Sequence, residues 1–198
     1  MIPSTLLGFS LPPLFGFNFY FLTAIALSFS IYLLLSTCVY AYQHKKINSM
    51  VIAHIGIAVI ALGITANKSF SEERQIKMKP GETVSLAGYQ FKFENMNETQ
   101  SANYQSLVAN FTVTKNNFSS KISAEQRLYA YEKTLGKPGI IFNPWRDLHL
   151  VLGNNFPDDA WAIRIYYKPF VRWIWAGGFL LFIAGMVSLL KYYKRSKS

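Results

Sequence analysis

The sequence predicts an α + β membrane protein: three transmembrane helices, with one small all-β domain between the second and the third. Apolar residues make up 51% of the 198 residues and gather in three runs long enough to cross a bilayer, which takes roughly 20 residues per helix. All ten acidic residues lie outside those runs, between Glu72 and Asp159. That same stretch has the short alternating segments and turn signals of a sandwich or open barrel.

The apolar runs place the predicted helices at residues 18–42, 49–66 and 171–190. Residues 1–17, which include three prolines, are expected to form an outer or interfacial lead-in. Basic residues fill the loop 43–48 and the tail 191–198. The positive-inside rule places both on the cytoplasmic or matrix side, so the lead-in and the domain 67–170 are expected outside.

The net charge of +10 is explained by this topology and by contact with lipid, and it does not indicate nucleic-acid binding. The single cysteine, Cys38, excludes an intrachain disulfide and a cysteine-based metal finger. The first twenty residues contain no basic residue and resemble neither a secretory signal nor a transit peptide. We therefore expect synthesis in the compartment whose membrane the chain enters, a bacterium or an organelle.

Turn signals divide the domain into short predicted strands. Ala87-Gly88 separates Thr83–Leu86 from Tyr89–Phe93 as in a hairpin. Further strands are predicted within Leu107–Thr114, Ser119–Tyr131 and Ala160–Tyr166. His149 alternates with leucines 148, 150 and 152, so it is expected to point away from the face that they cover, as an ordinary surface or edge histidine.

His54 is the most informative residue, because nothing else between Met50 and Ala66 is ionisable. A titratable side chain within a membrane span indicates a functional site that faces a bundle interior, a ligand or an ion path. Imidazole is also a common axial ligand of haem iron. The alternative is a neutral histidine that hydrogen-bonds to a neighbouring helix. Ala58 and Ala61 follow on the same helix face and would allow close approach by a helix or a flat ligand.

The third span begins with the string Trp161–Gly178, rich in Trp, Tyr, Lys and Arg. This composition is typical of an anchor at the membrane–water interface. The string also resembles the end of the outer domain and the start of the last helix in CcmF-type proteins, the haem lyase subunits of cytochrome c maturation. Ala53–Gly56 resembles the family's transmembrane His-x-Gly segment. Ser71–Arg74, Lys79–Gly81 and Gly88–Phe91 resemble, in order, the stretch after that helix.

The resemblance implies that His54 is one of two axial ligands of a haem b inside the membrane, which supports reduction and covalent attachment of haem to apocytochrome c. Arg74 and Arg164 become candidates to pair with propionates or partner carboxylates, with ion pairs inside the domain as the alternative. No residues form a catalytic nucleophile–base array. The chain alone is therefore not expected to be an enzyme, but a part of a haem lyase complex.

The sequence lacks two parts of the family pattern: the Trp-rich outer motif that holds incoming haem and a second intramembrane histidine. The resemblance therefore implies a split, organelle-encoded form in the mitochondrial inner membrane, or else a bacterial inner-membrane protein. An N-terminal CcmF-like partner would share the haem b and carry the Trp-rich motif, alongside other maturation subunits and apocytochrome c. Two alternatives are a haem-free structural subunit of a respiratory or assembly complex and an accessory of a sensor or transporter.

Overall fold

The structure is a computed structural model that describes residues 19–101, 103–129 and 134–197. The predicted lead-in at 1–17 lies outside the described residues. The chain forms two compact units. One holds the helical residues up to Thr65 and from Gly177 onward, and the other runs from Ala66 to Ala176.

Three helices are present, and each is long and apolar enough to cross a membrane, as predicted. They are α1 (Phe19–His44), α2 (Ser49–Phe70) and α3 (Val171–Ser196). All three continue past the predicted ends of the apolar runs. Helix hydrogen bonding does not require apolar side chains, and Lys, Arg and Gln are good helix formers, so the helices extend beyond the apolar layer.

A short basic connection joins α1 to α2. Lys45 takes a left-handed conformation with φ of 48°, which ends α1. The Asn48 side-chain oxygen accepts a hydrogen bond from the Val51 amide at 2.9 Å and caps the start of α2. These two local signals keep the loop short.

Two glycines allow α2 and α3 to approach closely. A Cβ added at Gly177 would lie 2.6 Å from the Gly56 carbonyl oxygen and 2.6 Å from Cγ1 of Ile60. A Cβ at Gly56 would lie 3.0 Å from the Gly177 carbonyl oxygen. Small residues let helix backbones meet in this way.

The domain is a sandwich of two antiparallel sheets. Sheet A has the order β1-β9-β8-β7 and sheet B the order β2-β3-β4-β5-β6. The strands of sheet A are β1 (Glu72–Met78), β7 (Gly139–Phe142), β8 (Arg146–Asn155) and β9 (Trp161–Pro169). Those of sheet B are β2 (Thr83–Leu86), β3 (Tyr89–Gln100), β4 (Tyr104–Lys115), β5 (Phe118–Tyr129) and β6 (Thr134–Lys137).

The core lies between the two sheets and is fully apolar at its centre. Sheet B contributes Phe91, Phe93 and Phe111, and sheet A contributes leucines 148 and 150 with isoleucines 163 and 165. Phe93 and Phe111 stack with ring centroids 4.6 Å apart. Alternation of inward apolar and outward polar residues along β3 and β8 produces this layer.

The chain enters and leaves the sandwich at neighbouring strands. β1 follows α2, β9 precedes α3, and the two strands pair with Glu72 opposite Tyr167. The Asn67 side-chain amide donates to the Pro169 carbonyl at 2.8 Å. The two ends of the domain are therefore tied together.

The hairpin at Ala87-Gly88 and the strands around residues 107–114, 149 and 160–166 are confirmed. A single strand, β5, forms where one or two strands were predicted within Ser119–Tyr131, and it ends at Tyr129. Tyr131 lies outside the described residues. β6 and β7 were not predicted. The arrangement of two facing sheets is that of a sandwich, as predicted.

Candidate functional site

His54 lies at the edge of an exposed face of α2, beside a buried strip of the same helix. Met50, Ile57 and Ile64 share that face and are 43%, 49% and 50% exposed. His54 itself is partly exposed. Ala61 lies on this face as expected, whereas Ala58 is fully buried beside it. The imidazole is thus directed toward space that another protein segment or a ligand could occupy.

The opposite side of α2 packs against α3. Gly56 and Ile60, which meet Gly177, lie roughly 200° and 240° around the helix from His54 at about 100° per residue. The α2–α3 contact therefore turns His54 away from α3.

One hydrogen bond fixes the tautomer of His54. Its Nδ1 lies 2.8 Å from the Met50 carbonyl oxygen, one turn earlier. Since a carbonyl can only accept, Nδ1 carries the proton and donates. The lone pair of the neutral ring is then on Nε2, the atom that is able to bind a metal.

The other two histidines, His44 and His149, lie in other elements and make other contacts. His44 ends α1, where its Nδ1 donates to the Tyr40 carbonyl at 3.0 Å and its ring stacks on that of Tyr40. His149 lies in β8 on the outer face of sheet A, between Ile140 and Tyr166. Burial, with a smaller effect from Lys168, holds the pKa of His149 below its usual value.

Both arginines named from the sequence make contacts inside the domain. The Arg74 guanidinium donates to the Ser85 carbonyl at 2.8 Å. Arg164 forms an ion pair with Glu73 at 3.6 Å and donates to Gln75 at 3.0 Å. The Arg164 contact matches the ion-pair alternative, whereas Arg74 bonds to a backbone carbonyl instead.

Sequence reasoning missed Arg146, which is only 5% exposed. Its Nε donates to the Tyr89 hydroxyl at 2.8 Å, and its guanidinium lies 4.7 Å and 5.1 Å from the ring centroids of Tyr89 and Phe118. No acidic side chain in the described ranges forms an ion pair with it. The signal was available, because Arg146 is in phase with the inward leucines 148, 150 and 152.

The donor set on the described residues is a single imidazole. No group of three or more His, Cys, Asp or Glu side chains in the described part of the chain is placed to hold a metal ion. For a haem iron, the chemistry of this donor set offers one imidazole nitrogen, Nε2 of His54.

Comparison with known proteins identifies relatives over most of the chain. Residues 69–169 match the family model described as the CcmF C-terminal beta-sandwich. The chain is 38% identical over 150 residues to the cytochrome c-type biogenesis protein CcmF of Escherichia coli (strain K12), and 40% identical over 150 residues to that of Pseudomonas fluorescens. These alignments cover 74% and 75% of the chain but 23% of each relative.

A solved structure, titled Cytochrome c Heme Lyase CcmF, has the same fold over 70% of the chain, with a TM-score of 0.59 at 14% identity. The match spans 24% of that protein. The chain thus corresponds to about a quarter of the length of the proteins it matches.

Proposed function

This chain belongs to the CcmF family of cytochrome c-type biogenesis proteins, and from this premise we propose that it is a membrane component of the haem lyase for cytochromes c. In this proposal His54 provides one axial ligand to a haem b within the membrane. The haem supports reduction and covalent attachment of haem to apocytochrome c. Three apolar helices and relatives from bacteria are consistent with a multi-pass protein of an inner membrane.

The observation that carries the proposal is the orientation of His54. His54 is partly exposed at the edge of an exposed face of α2, and the bond from Nδ1 to Met50 leaves Nε2 with the lone pair. Met50, Ile57 and Ile64 supply an apolar surround on that face, which suits a porphyrin and excludes water. Ala61 leaves room near the backbone.

In this proposal the residues of this chain bind and orient the haem, and they do not form or break covalent bonds. The Met50 carbonyl fixes the orientation of the imidazole ring by accepting a hydrogen bond from Nδ1. A haem bound by two imidazoles would supply a low-spin iron suited to electron transfer. The second imidazole and the Trp-rich haem-holding motif come from protein outside this sequence, which we propose to be an N-terminal CcmF-like partner.

The basic loop and tail support the proposed orientation. Lys45 and Lys46 lie between α1 and α2, and Lys194 and Arg195 lie in the last turn of α3. Under the positive-inside rule these ends face the matrix or cytoplasm. The sandwich is then exposed to the intermembrane space or periplasm, the side on which apocytochrome c and the other maturation subunits would meet it.

The test is the visible absorption spectrum of the detergent-solubilised complex, captured through this chain, for wild type and His54→Ala. We expect a dithionite-reduced, low-spin b-type spectrum that is lost or becomes high-spin in the variant. His149→Ala is the matched control, because it removes an imidazole from the outer face of sheet A. Its spectrum should equal that of wild type.

Absence of haem from the intact wild-type complex, or an unchanged spectrum in His54→Ala, would overturn the proposal. Either result would favour a haem-free structural subunit in which His54 hydrogen-bonds to a partner helix. Recovery of the same partner subunits with the variant shows that any spectral loss is not a loss of assembly.

A further inference from the structure

The turn between β7 and β8 exposes a group of large apolar rings. Phe142 is 61% exposed and Trp145 is 59% exposed, and Ile140 on the same edge strand is 47% exposed. We call Ile140, Phe142 and Trp145 the turn patch. Large exposed apolar side chains on one strand and its turn indicate a surface that contacts something other than water.

The turn patch is held by an ordered turn. The Asn143 side-chain oxygen accepts hydrogen bonds from the amides of Trp145 and Arg146 at 2.9 Å and 2.8 Å. This pattern is an Asx turn, which fixes the backbone locally. The exposed rings are therefore presented by a fixed backbone.

The same turn is tied to the first residues of α3. The Trp173 indole donates to the Pro144 carbonyl at 3.1 Å, and the Phe170 amide donates to the Trp145 carbonyl at 2.9 Å. The ring centroids of Trp145 and Trp173 are 5.5 Å apart. The turn thus lies at the level where α3, a helix able to cross the membrane, begins.

Charges next to the turn patch suit a lipid headgroup layer. The Arg172 guanidinium lies 3.8 Å from the Phe142 ring centroid and is 3.4 Å from Asp147, whose side chain is 9% exposed. Asp147 is thus covered and paired. Lys168, opposite Asp147 in the sheet, forms no ion pair within the described ranges. Cations at this depth attract lipid phosphates, and Trp prefers the same interface.

We propose that the β7–β8 turn is a membrane-contacting element, with the Phe142 and Trp145 rings inserted into the boundary between lipid headgroups and acyl chains beside the start of α3. The partner is the bilayer itself. Ordered rings, continuity with a membrane-crossing helix and flanking cations together favour lipid. This inference does not depend on haem binding.

The test places a nitroxide spin label on the full chain in nanodiscs of phosphatidylcholine and phosphatidylglycerol. Cys38→Ser removes the native thiol, and Phe142→Cys or Trp145→Cys, in separate variants, carries the label. Power saturation compares collisions with oxygen, which concentrates in lipid, and with a water-soluble nickel chelate. We expect oxygen to exceed the chelate several-fold at both sites.

Phe156→Cys is the matched control. Phe156 is also an exposed ring, 39% accessible, but it follows the far end of β8, roughly 30 Å from the turn at about 3.3 Å per residue. There the chelate should exceed oxygen. Equal chelate access at 142, 145 and 156 would place the turn in water, and exclusion of both reagents at 142 and 145 would place it against protein. Either result overturns the proposal.

Discussion

The Arg146 guanidinium donates to the Tyr89 hydroxyl at 2.8 Å and so joins β8 of sheet A to β3 of sheet B inside the sandwich. Arg146 is 5% exposed and Tyr89 is 9% exposed. A buried cation of this kind depends on its few polar partners, because desolvation penalises the charge. Loss of this hydrogen bond is therefore expected to destabilise the domain.

Tyr89→Phe should destabilise the domain by about 1–3 kcal/mol, because it leaves a buried donor of a charged group without its acceptor. Chemical denaturation of the full chain, followed by near-ultraviolet circular dichroism, measures the change. Tyr166→Phe is the control, since the Tyr166 hydroxyl accepts from the exposed Arg164 at 3.3 Å. Equal losses from both substitutions would mean that burial of the Arg146–Tyr89 pair has no special effect.

Gly177→Ala should weaken the α2–α3 contact by about 1–3 kcal/mol, because the new methyl group has no room and the helices must separate. The added Cβ would meet backbone and side-chain atoms at 2.6 Å. Gly178→Ala makes the same chemical change where no atom lies within 4 Å. Samples heated in detergent are analysed by size-exclusion chromatography for loss of the monodisperse peak. This loss should start at a lower temperature than in wild type for Gly177→Ala and not for Gly178→Ala.

His149 should make domain stability fall as the pH decreases below about 6.5. Its pKa in the folded domain lies below the ordinary value of 6.5, mainly through burial. The unfolded chain therefore takes up a proton first as the pH falls, which favours unfolding. Denaturation midpoints between pH 7.5 and 5 should decline less for His149→Gln than for wild type. Parallel curves for the two proteins would contradict the assignment.

His54→Gly with added imidazole should regain the low-spin spectrum of the wild-type complex, if Nε2 of His54 binds the haem iron. The substitution removes the ligand and costs roughly 1 kcal/mol in helix propensity. Free imidazole can then occupy the vacated space. A titration monitored by absorption should saturate in His54→Gly and leave wild type unchanged. Failure of rescue in a complex that still contains haem would separate His54 from ligation.

The strands that were predicted correctly have strong local signals. Leucines 148, 150 and 152 recur at every second position, and this pattern indicates a strand with one buried face. The same phase places Arg146 on that face, but a charged residue was not expected there. β6 is exposed along its whole length, so its four residues carry no periodic apolar signal. It exists because it pairs with β5.

His54 could be identified from the sequence because an ionisable residue in an apolar run is unusual. Its orientation could not, because the small residues of α2 are spread around the helix. Only the pairing of Gly56 with Gly177 decides which small residues meet α3. Composition also does not predict that Nδ1 of His54 donates a hydrogen bond to the Met50 carbonyl.

The pairing of β1 with β9 has a consequence for the order of folding. Before the sandwich forms, joining α2 to α3 means closing a loop of residues 71–170. Once Glu72 lies opposite Tyr167 and Asn67 is bonded to Pro169, the helix ends are joined by an effective loop of only a few residues. The entropic cost of closing a loop of n residues scales as (3/2)RT ln n. A fall in n from roughly one hundred to about four therefore lowers this cost by about 3 kcal/mol. A folded sandwich thus raises the effective concentration of α3 near α2.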